Sequence, residues 1–255
     1  MINAVLIGAG NVASHLYLAF AQSDILQFTQ VYNRNLTHID FVTSNTKVTN
    51  DLTELEEADI YFICVSDSAI GALSDKLPFT NRLTVHCSGG IAMDVLDNKN
   101  RIGVFYPLQT FIKNTDVDFK EIPICVEATN SKDEELLLEL GNAISESVHK
   151  ISSTQRSAIH VAAVFVNNFV NYIFQIGEEI MEENQMDFSL LHPLINKTVQ
   201  SALNNSPKTL QTGPAKRGDK VTIEKHINQL QKVEQRELYK TLTNAILQQY
   251  GREKL

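Results

Sequence analysis

Glycines near the start of the chain stand at a spacing that leaves room for a phosphate group. An apolar run, Ala4 to Ile7, is followed by Gly8, Gly10 and Ala13, and a helical pattern begins at once. In the arrangement G-x-G-x-x-G/A the first glycine makes a tight turn and the second lets a pyrophosphate approach the backbone. The small third residue lets the helix pack closely on the strand, and the free N–H groups of its first turn attract an anion. The pattern predicts a dinucleotide site, with a purely structural tight turn as the alternative. The candidate cofactor residues at this turn are Gly8, Gly10, Asn11 and Val12.

The identity of the dinucleotide depends on the residues about 20 positions further on. The predicted second strand, Phe28 to Tyr32, ends in Asn33, Arg34 and Asn35. In an NAD site an Asp or Glu at this place accepts hydrogen bonds from the ribose 2′-OH. Here no carboxylate is present, and the Arg34 guanidinium offers a fork of donors to the 2′-phosphate of NADP. We therefore predict NADP as the cofactor, with a solvated loop arginine as the alternative.

Two further apolar runs end in small polar residues. The run Ile60 to Val65 is followed by Ser66-Asp67-Ser68, and the run Leu83 to Cys87 by Ser88-Gly89-Gly90. Ligands of an open parallel sheet lie beyond the carboxyl ends of its strands, so these loops should meet the same cofactor. The predicted cofactor contacts here are Val65, Ser66, Asp67 and Ser88, and the predicted substrate contacts are Ser88 and Gly89.

The elements that must position these residues alternate between strand and helix up to about residue 150. Such alternation predicts an α/β fold, a Rossmann-type doubly wound parallel sheet covered on both faces. From Ser153 onward the apolar spacing is helical only, and one long helix is predicted from Ser157 to Glu183. We therefore predict an NADP-binding domain over residues 1–152 and an all-α domain for substrate binding and dimerisation over residues 153–255.

Composition excludes several classes of partner. The chain has 255 residues and a formal net charge of −8, which disfavours binding to a nucleic-acid backbone. No unbroken apolar run reaches the roughly 18 residues of a membrane span, and the first residues lack the basic region of a signal peptide. The three cysteines lie far apart in apolar runs, so we expect buried, reduced thiols in a cytoplasmic protein. No spacing typical of a metal site is present.

Several motifs together resemble a known group of enzymes. They are Gly8-Ala9-Gly10-Asn11-Val12-Ala13, Asp67-Ser68-Ala69-Ile70, His86-Cys87-Ser88-Gly89, Tyr106-Pro107-Leu108-Gln109-Thr110-Phe111, Arg156 with His160-Val161-Ala162-Ala163, and Thr212-Gly213-Pro214 with Arg217-Gly218-Asp219, Thr222 and His226. The set resembles the NADP-dependent reductases that include pyrroline-5-carboxylate reductase, 3-hydroxyisobutyrate dehydrogenase and 6-phosphogluconate dehydrogenase. Within them it is most similar to a branch with a Rossmann-like domain and a helical domain of unknown function. The resemblance implies the fold, NADP, and a homodimer formed through the helical domain, but no particular substrate.

The chain departs from the hydroxyacid dehydrogenases at the position of their lysine. In those enzymes a lysine that acts in proton transfer precedes an asparagine on the long helix by three or four residues. Here Asn167 and Asn168 are present, but Ala163 and Val164 stand where the lysine would be. His160 lies on the same helix, and an imidazole can donate a proton to an alkoxide or amine as hydride arrives. His160, Asn167 and Asn168 are therefore catalytic candidates, with a hydrogen-bonded core histidine as the alternative for His160.

A second histidine follows a glycine-containing loop in the helical half. Thr222 and His226 are four residues apart and share one helix face. The resemblance implies that such a loop and helix bind substrate, so Arg217 and Thr222 are substrate-binding candidates and His226 is a catalytic one. The alternative is a polar turn in which Asp219 caps the helix.

These residues lead to one functional prediction and one rival. The prediction is hydride transfer between NADP(H) and a small carbonyl, hydroxy-acid or imine compound. The rival is an NADP-binding sensor or interaction protein that has lost catalysis, which the missing lysine suggests.

Overall fold

The computed structural model describes residues 1–113 and 115–255. The chain divides into two compact units, residues 1–164 and 165–255, and each is described by itself.

The first unit contains an eight-stranded sheet in the order β3-β2-β1-β4-β5-β6-β7-β8. All neighbouring strands are parallel except β6 and β7. The strands are β1 (Ile2–Ile7), β2 (Leu26–Tyr32), β3 (Lys47–Thr49), β4 (Ile60–Ile63), β5 (Leu83–His86), β6 (Arg101–Pro107), β7 (Ile124–Ala128) and β8 (Val148–Lys150). The predicted fold class, a Rossmann-type sheet followed by helices, is confirmed.

The apolar runs form the central strands because both faces of this sheet are covered. Residues 4–7 of β1 and residues 60–63 of β4 are almost completely shielded from solvent. A strand buried on both faces cannot alternate polar and apolar side chains, so it appears as a continuous apolar run. The same burial places the polar loops that follow these strands at one edge of the sheet.

The sheet differs from the prediction at its last strands. Strand β7 is antiparallel to β6, because the described residues between Pro107 and Ile124 form no α-helix that could provide the crossover of a parallel pair. The edge strand β8 was not predicted. It has three residues, Val148 to Lys150, of which two are exposed, so the sequence carries no apolar signal there.

The described residues of the first unit form four α-helices. They are α1 (Asn11–Ala21), α2 (Ile70–Ser74), α3 (Ser131–Ile144) and α4 (Ser153–Ala163). Helix α2 has five residues, and a single 3-10 turn, Asp67–Ala69, separates it from Ser66. The start of α4 is fixed by a capping box, in which Ser152 and Gln155 satisfy each other's backbone N–H groups.

The second unit is helical. A π-helical segment, Val164–Phe169, leads into it from α4. Its helices are α5 (Val170–Glu183), α6 (His192–Asn204), α7 (Pro207–Leu210), α8 (Pro214–Arg217), α9 (Lys220–Gln229) and α10 (Val233–Gln249). Helices α7 and α8 are single turns, each with a proline in its first turn.

The boundary between the units lies within a helix. The predicted boundary at 152/153 coincides with the start of α4, whereas the two compact units meet at 164/165. The first turns of α4 group with the sheet because Arg156 is fully buried there and paired with Glu127 of β7. The division into an NADP-binding and a substrate domain at 152/153 stays a prediction.

The helical stretch Ser153–Glu183 is long and apolar enough to cross a membrane, judged by length and composition alone. This stretch contains no unbroken apolar run of about 18 residues, so no span is predicted from such a run. Here polar residues interrupt the run, yet an 18-residue window still has a mean hydropathy of at least 1.2 and no more than two charged residues.

Candidate active site

The turn after β1 requires glycine at its first position. Gly8 has a φ of +117°, and a Cβ added to it would lie 2.2 Å from the backbone oxygen of Cys64 at the end of β4. Its N–H donates to the carbonyl of Tyr32 at the end of β2, at 2.8 Å. The chain therefore passes between two strand ends so closely that no side chain fits.

The second glycine of the turn is open where the first is crowded. A Cβ on Gly10 would meet no other atom within 4 Å. Gly10 is the N-cap of α1 and provides no side-chain cap, so N–H groups of the first turn remain available. An empty approach to unpaired N–H donors fits a pyrophosphate bound at a helix N-terminus.

A cleft of about 670 Å³ opens in front of this turn. Of the described residues, two basic side chains, Arg34 and Lys76, line this cleft, and no Asp or Glu does. Among the residues that the structure describes, Arg34 forms no ion pair, and its side chain is exposed. A positively charged end without a carboxylate suits the 2′-phosphate of NADP, which a carboxylate would repel.

Most of the predicted cofactor residues line this cleft. Those that do are Gly8, Gly10, Asn11, Val12, Asn33, Arg34, Val65 and Ser66. Three others do not. Asn35 caps the short helix Leu36–His38, where its side chain accepts from the N–H of Thr37. Asp67 and Ser88 belong to the neighbouring loops described below.

Several lining residues were not found from the sequence. Lys76 follows α2, and no motif marked it. Gln109 and Phe111 come from the segment after β6 and also line the cleft. The Asn11 side chain donates to the carbonyl of Phe111 at 2.8 Å and so ties α1 to that segment. The position of this segment after a strand was the available signal, since strand ends of this sheet carry the ligand-binding loops.

A hydrogen-bonded turn follows β5 beside the cleft loops. The N–H of Ser88 donates to Nδ1 of His86 at 3.1 Å, while the Ser88 hydroxyl oxygen accepts from the N–H groups of Gly90 and Ile91. Burial, with the Arg156 charge as a smaller cause, lowers the pKa of His86 to about 4. His86 is therefore neutral at physiological pH, and its Nδ1 acts as an acceptor that holds the turn in place.

Side chains from two other elements, Tyr106 and His160, lie against Gly89. A Cβ on Gly89 would lie 2.7 Å from the hydroxyl oxygen of Tyr106 on β6 and 2.8 Å from Nδ1 of His160 on α4. At Gly90, a Cβ would lie 3.6 Å from Nε2 of His160 and 3.7 Å from Oδ2 of Asp67. The structure therefore brings Asp67, Gly89 and His160 together, and it adds Tyr106, which the sequence analysis did not select.

A buried ion pair fixes the helix that carries His160. One guanidinium nitrogen of Arg156 contacts the Glu127 carboxylate at 2.6 Å, and the other donates to the carbonyl of Ile91 at 2.6 Å. Burial alone would raise the pKa of Glu127, but hydrogen bonds from Ser153 and Arg156 lower it overall. The carboxylate therefore stays ionised, and α4 is held against β7 one turn before His160.

The predicted residues of the second unit occupy two places. Asn167 and Asn168 lie exposed in the π-helical segment Val164–Phe169. Thr222 donates through its N–H and its hydroxyl to the Asp219 carboxylate, which caps α9.

The other two predicted residues flank this cap. Arg217 is the last residue of α8, before Gly218 in the left-handed conformation. Nδ1 of His226 lies 2.8 Å from the hydroxyl of Tyr239 on α10. Helix capping by Asp219, the structural alternative, is therefore present, and a substrate role for Arg217, Thr222 and His226 remains a prediction.

Among the described residues, no group of three or more His, Cys, Asp or Glu side chains is placed to hold a metal ion. The three cysteines are free and buried.

Comparison with solved structures decides the family. A protein from Bacteroides fragilis named "putative NADP oxidoreductase" superposes with a TM-score of 0.87 and 34% sequence identity, covering 97% of this chain and 98% of that one. The chain belongs to this family of NADP oxidoreductases. Membership confirms the resemblance drawn from the motifs, and with it an oxidoreductase that uses NADP.

More distant structures share the fold. A protein from Thermotoga maritima has a TM-score of 0.72 at 18% identity, covering 98% of this chain and all of that one. An imine reductase from Myxococcus stipitatus, in complex with NADP+, has a TM-score of 0.65 at 15% identity, covering 96% and 92%. Residues 122–246 match a domain model described as a domain of unknown function. No curated protein sequence matches the chain significantly.

Proposed function

We propose that the protein is an NADPH-dependent reductase that transfers hydride to the C=O or C=N carbon of a small molecule, or the reverse. The observation that carries this proposal is the cleft at Gly8 and Gly10, with basic Arg34 and Lys76 and no acidic residue in its lining. The imine reductase from Myxococcus stipitatus shares the fold and supports the C=N class of substrate.

The chain's own residues fit the parts of NADP. The open N–H groups at Gly10 and Asn11 would hold the pyrophosphate, and Arg34 with Lys76 would bind the 2′-phosphate. Val65, Ser66 and the segment from Gln109 to Phe111 would border the ribose and ring at the other end. When bound, the cofactor supplies the hydride, and the protein supplies position and a proton.

His160 is the proposed proton donor. It lies beside the Ser88–Gly89 turn, and the buried Arg156–Glu127 pair fixes its helix. Ser88 and Gly89 are proposed to contact the substrate. In the second unit, the proposed catalytic residues are Asn167, Asn168 and His226, and the proposed substrate-binding residues are Arg217 and Thr222.

Turnover is tested with a panel of cyclic imines, 2-oxo acids and aldehydes. We expect NADPH oxidation with at least one of these classes. The result expected of an NADP-binding sensor is different. Such a protein binds NADPH tightly and oxidises it with none of these compounds, and His160→Ala changes neither its NADPH binding nor its single-turnover behaviour.

Replacing Arg34 with alanine should weaken NADPH binding selectively. The substitution removes charge-assisted hydrogen bonds worth about 1.5–3 kcal/mol, so the dissociation constant for NADPH should rise at least about tenfold. NADH lacks the 2′-phosphate, so its affinity should change little. Fluorescence titration of both nucleotides measures the two effects.

Arg82→Ala is the matched control, because Arg82 pairs with Glu57 and does not line the cleft. It should leave both affinities unchanged. Equal weakening of NADPH and NADH in Arg34→Ala, or weakening of neither, would contradict the assignment of the 2′-phosphate to Arg34.

We also propose that the protein is a homodimer formed through the second unit. Large apolar side chains are exposed on that unit, including Phe165, Val166, Leu194, Leu203 and Val221, each more than 60% accessible in the single chain. Monomeric soluble proteins rarely leave extended apolar patches open to water. A second copy of the chain would cover them.

Sedimentation velocity tests the assembly. We expect a species of twice the mass of one chain, and we expect Leu194→Asp to shift it to the monomer because a buried charge at an apolar interface is unfavourable. A wild-type monomer at micromolar concentration would contradict the dimer. Binding of the wild-type protein to lipid vesicles without self-association would also contradict it.

A further inference from the structure

The imidazole of His160 has one buried end and one open end. Its Nδ1 atom is shielded from solvent and has no hydrogen-bond partner among the described residues. The Nε2 end lies on the side of Gly90 and of the exposed Asp67 carboxylate. A buried ring nitrogen without a partner costs free energy, so its environment calls for an explanation.

The Tyr106 hydroxyl lies on the same side of Gly89 as that buried nitrogen, and the centroids of the two rings are 6.4 Å apart. Both atoms lie within 2.8 Å of the position that a Cβ of Gly89 would take, so any side chain at residue 89 would overlap both groups. The two rings are set edge to face, with an interplanar angle of 73°. In enzymes without bound ligand such catalytic hydrogen bonds are often long and shorten only in the substrate complex.

Resting on the proposed function, we infer that Tyr106 is a positioning residue whose hydroxyl oxygen accepts a hydrogen bond from Nδ1–H of His160. This bond keeps the neutral imidazole in the Nδ1–H tautomer and leaves Nε2 as the site that exchanges a proton with the substrate. The tautomer of a histidine is set by the hydrogen bond of its other nitrogen.

In the reducing direction, the proton that completes the product comes from His160. As hydride bonds to the substrate carbon, the π electron pair moves to the oxygen or nitrogen, which takes the proton from Nε2 of the His160 imidazolium. The imidazole is left neutral with its proton on Nδ1, bonded to Tyr106. A hydronium ion of the solvent then reprotonates Nε2 and becomes water, and Tyr106 keeps its own proton throughout.

The chemistry of Tyr106 agrees with a neutral partner. Burial, with Cys125 as a smaller cause, raises the pKa of Tyr106. The hydroxyl therefore remains protonated across the physiological range and can accept through its lone pairs without becoming a phenolate.

The test uses the full chain with bound NADP+ and substitutes Tyr106→Phe. With 15N-labelled histidine, NMR shifts distinguish the tautomers, and the His160 signals are assigned by their loss in His160→Gln. We expect the Nδ1–H tautomer in the wild type at alkaline pH and a shift toward Nε2–H in Tyr106→Phe. Unchanged tautomer populations would overturn the inference, whether or not a substrate has been found.

Kinetics provides the second readout once a substrate is known. Tyr106→Phe should lower kcat by about 10- to 100-fold, part of the 10²- to 10⁴-fold that acid–base catalysis contributes, with KM and NADPH affinity unchanged. Tyr61→Phe is the matched control, because Tyr61 is a buried tyrosine of β4 whose hydroxyl bonds only to backbone groups at Glu56 and Ala58. An equal loss of kcat in both variants would overturn the positioning role. Absence of turnover in the wild type would count against the proposed function and leave the NMR result to decide the inference.

Discussion

Gly8→Ala should unfold the protein or lower its stability severely, whereas Gly10→Ala should fold normally and lose cofactor affinity. A Cβ on Gly8 would lie 2.2 Å from a backbone oxygen, and the alanine would have to adopt a φ of +117°, which L-residues rarely do. Backbone strain and overpacking each cost about 1–3 kcal/mol, and here neither can relax, since the contacting atom is main chain. Urea unfolding measures the loss.

The paired variant separates folding from binding. Gly10 is exposed, and a Cβ there meets nothing within 4 Å, so the free energy of unfolding should change by no more than about 0.5 kcal/mol. The methyl group would occupy the path of the pyrophosphate, and NADPH affinity should fall at least about tenfold. Unchanged NADPH affinity in a folded Gly10→Ala variant would contradict the placement of the pyrophosphate at this turn.

His160→Ala should lower kcat by about 10²- to 10⁴-fold, the usual contribution of a general acid. The substitution removes the imidazole beside Gly89 but leaves the residues that line the cofactor cleft intact, so NADPH should bind as before. Single-turnover measurement of NADPH oxidation separates this loss from any change in product release.

The control for this substitution is His38→Ala. His38 lies exposed in the short helix Leu36–His38, outside the cofactor cleft, and should have no effect on kcat. A kcat for His160→Ala within about threefold of the wild type, with NADPH bound, would show that another group delivers the proton.

The glycine turn and Arg34 could be predicted because local sequence determines both. A turn that must pass a neighbouring strand excludes a Cβ, and a strand end fixes the residues that follow it at the sheet edge. The chain order of strands and helices was enough to identify the fold for the same reason. The position of β8 and the antiparallel direction of β7 depend on pairing with the last strands of the sheet. Short, partly polar segments have no hydrophobic periodicity from which such pairing could be predicted.

Contacts between distant segments limited the prediction of the site. Lys76 lines the cleft from the segment just after α2, and Tyr106 and His160 both lie against Gly89, over sequence separations that no spacing rule covers. Asn35 was selected for its neighbour Arg34, yet its side chain caps a short helix. An asparagine after a strand has both uses, and only the three-dimensional structure shows which backbone N–H it accepts from.

The central claim is hydride transfer from NADPH to a small C=O or C=N compound, and isotope transfer tests it most directly. The protein is incubated with NADPH deuterated at C4 of the nicotinamide and with the imine and carbonyl panel, and products are analysed by mass spectrometry. We expect one deuterium on the former C=O or C=N carbon of the product, transferred from one face of the nicotinamide ring. Tight NADPH binding without deuterium in any product would contradict it.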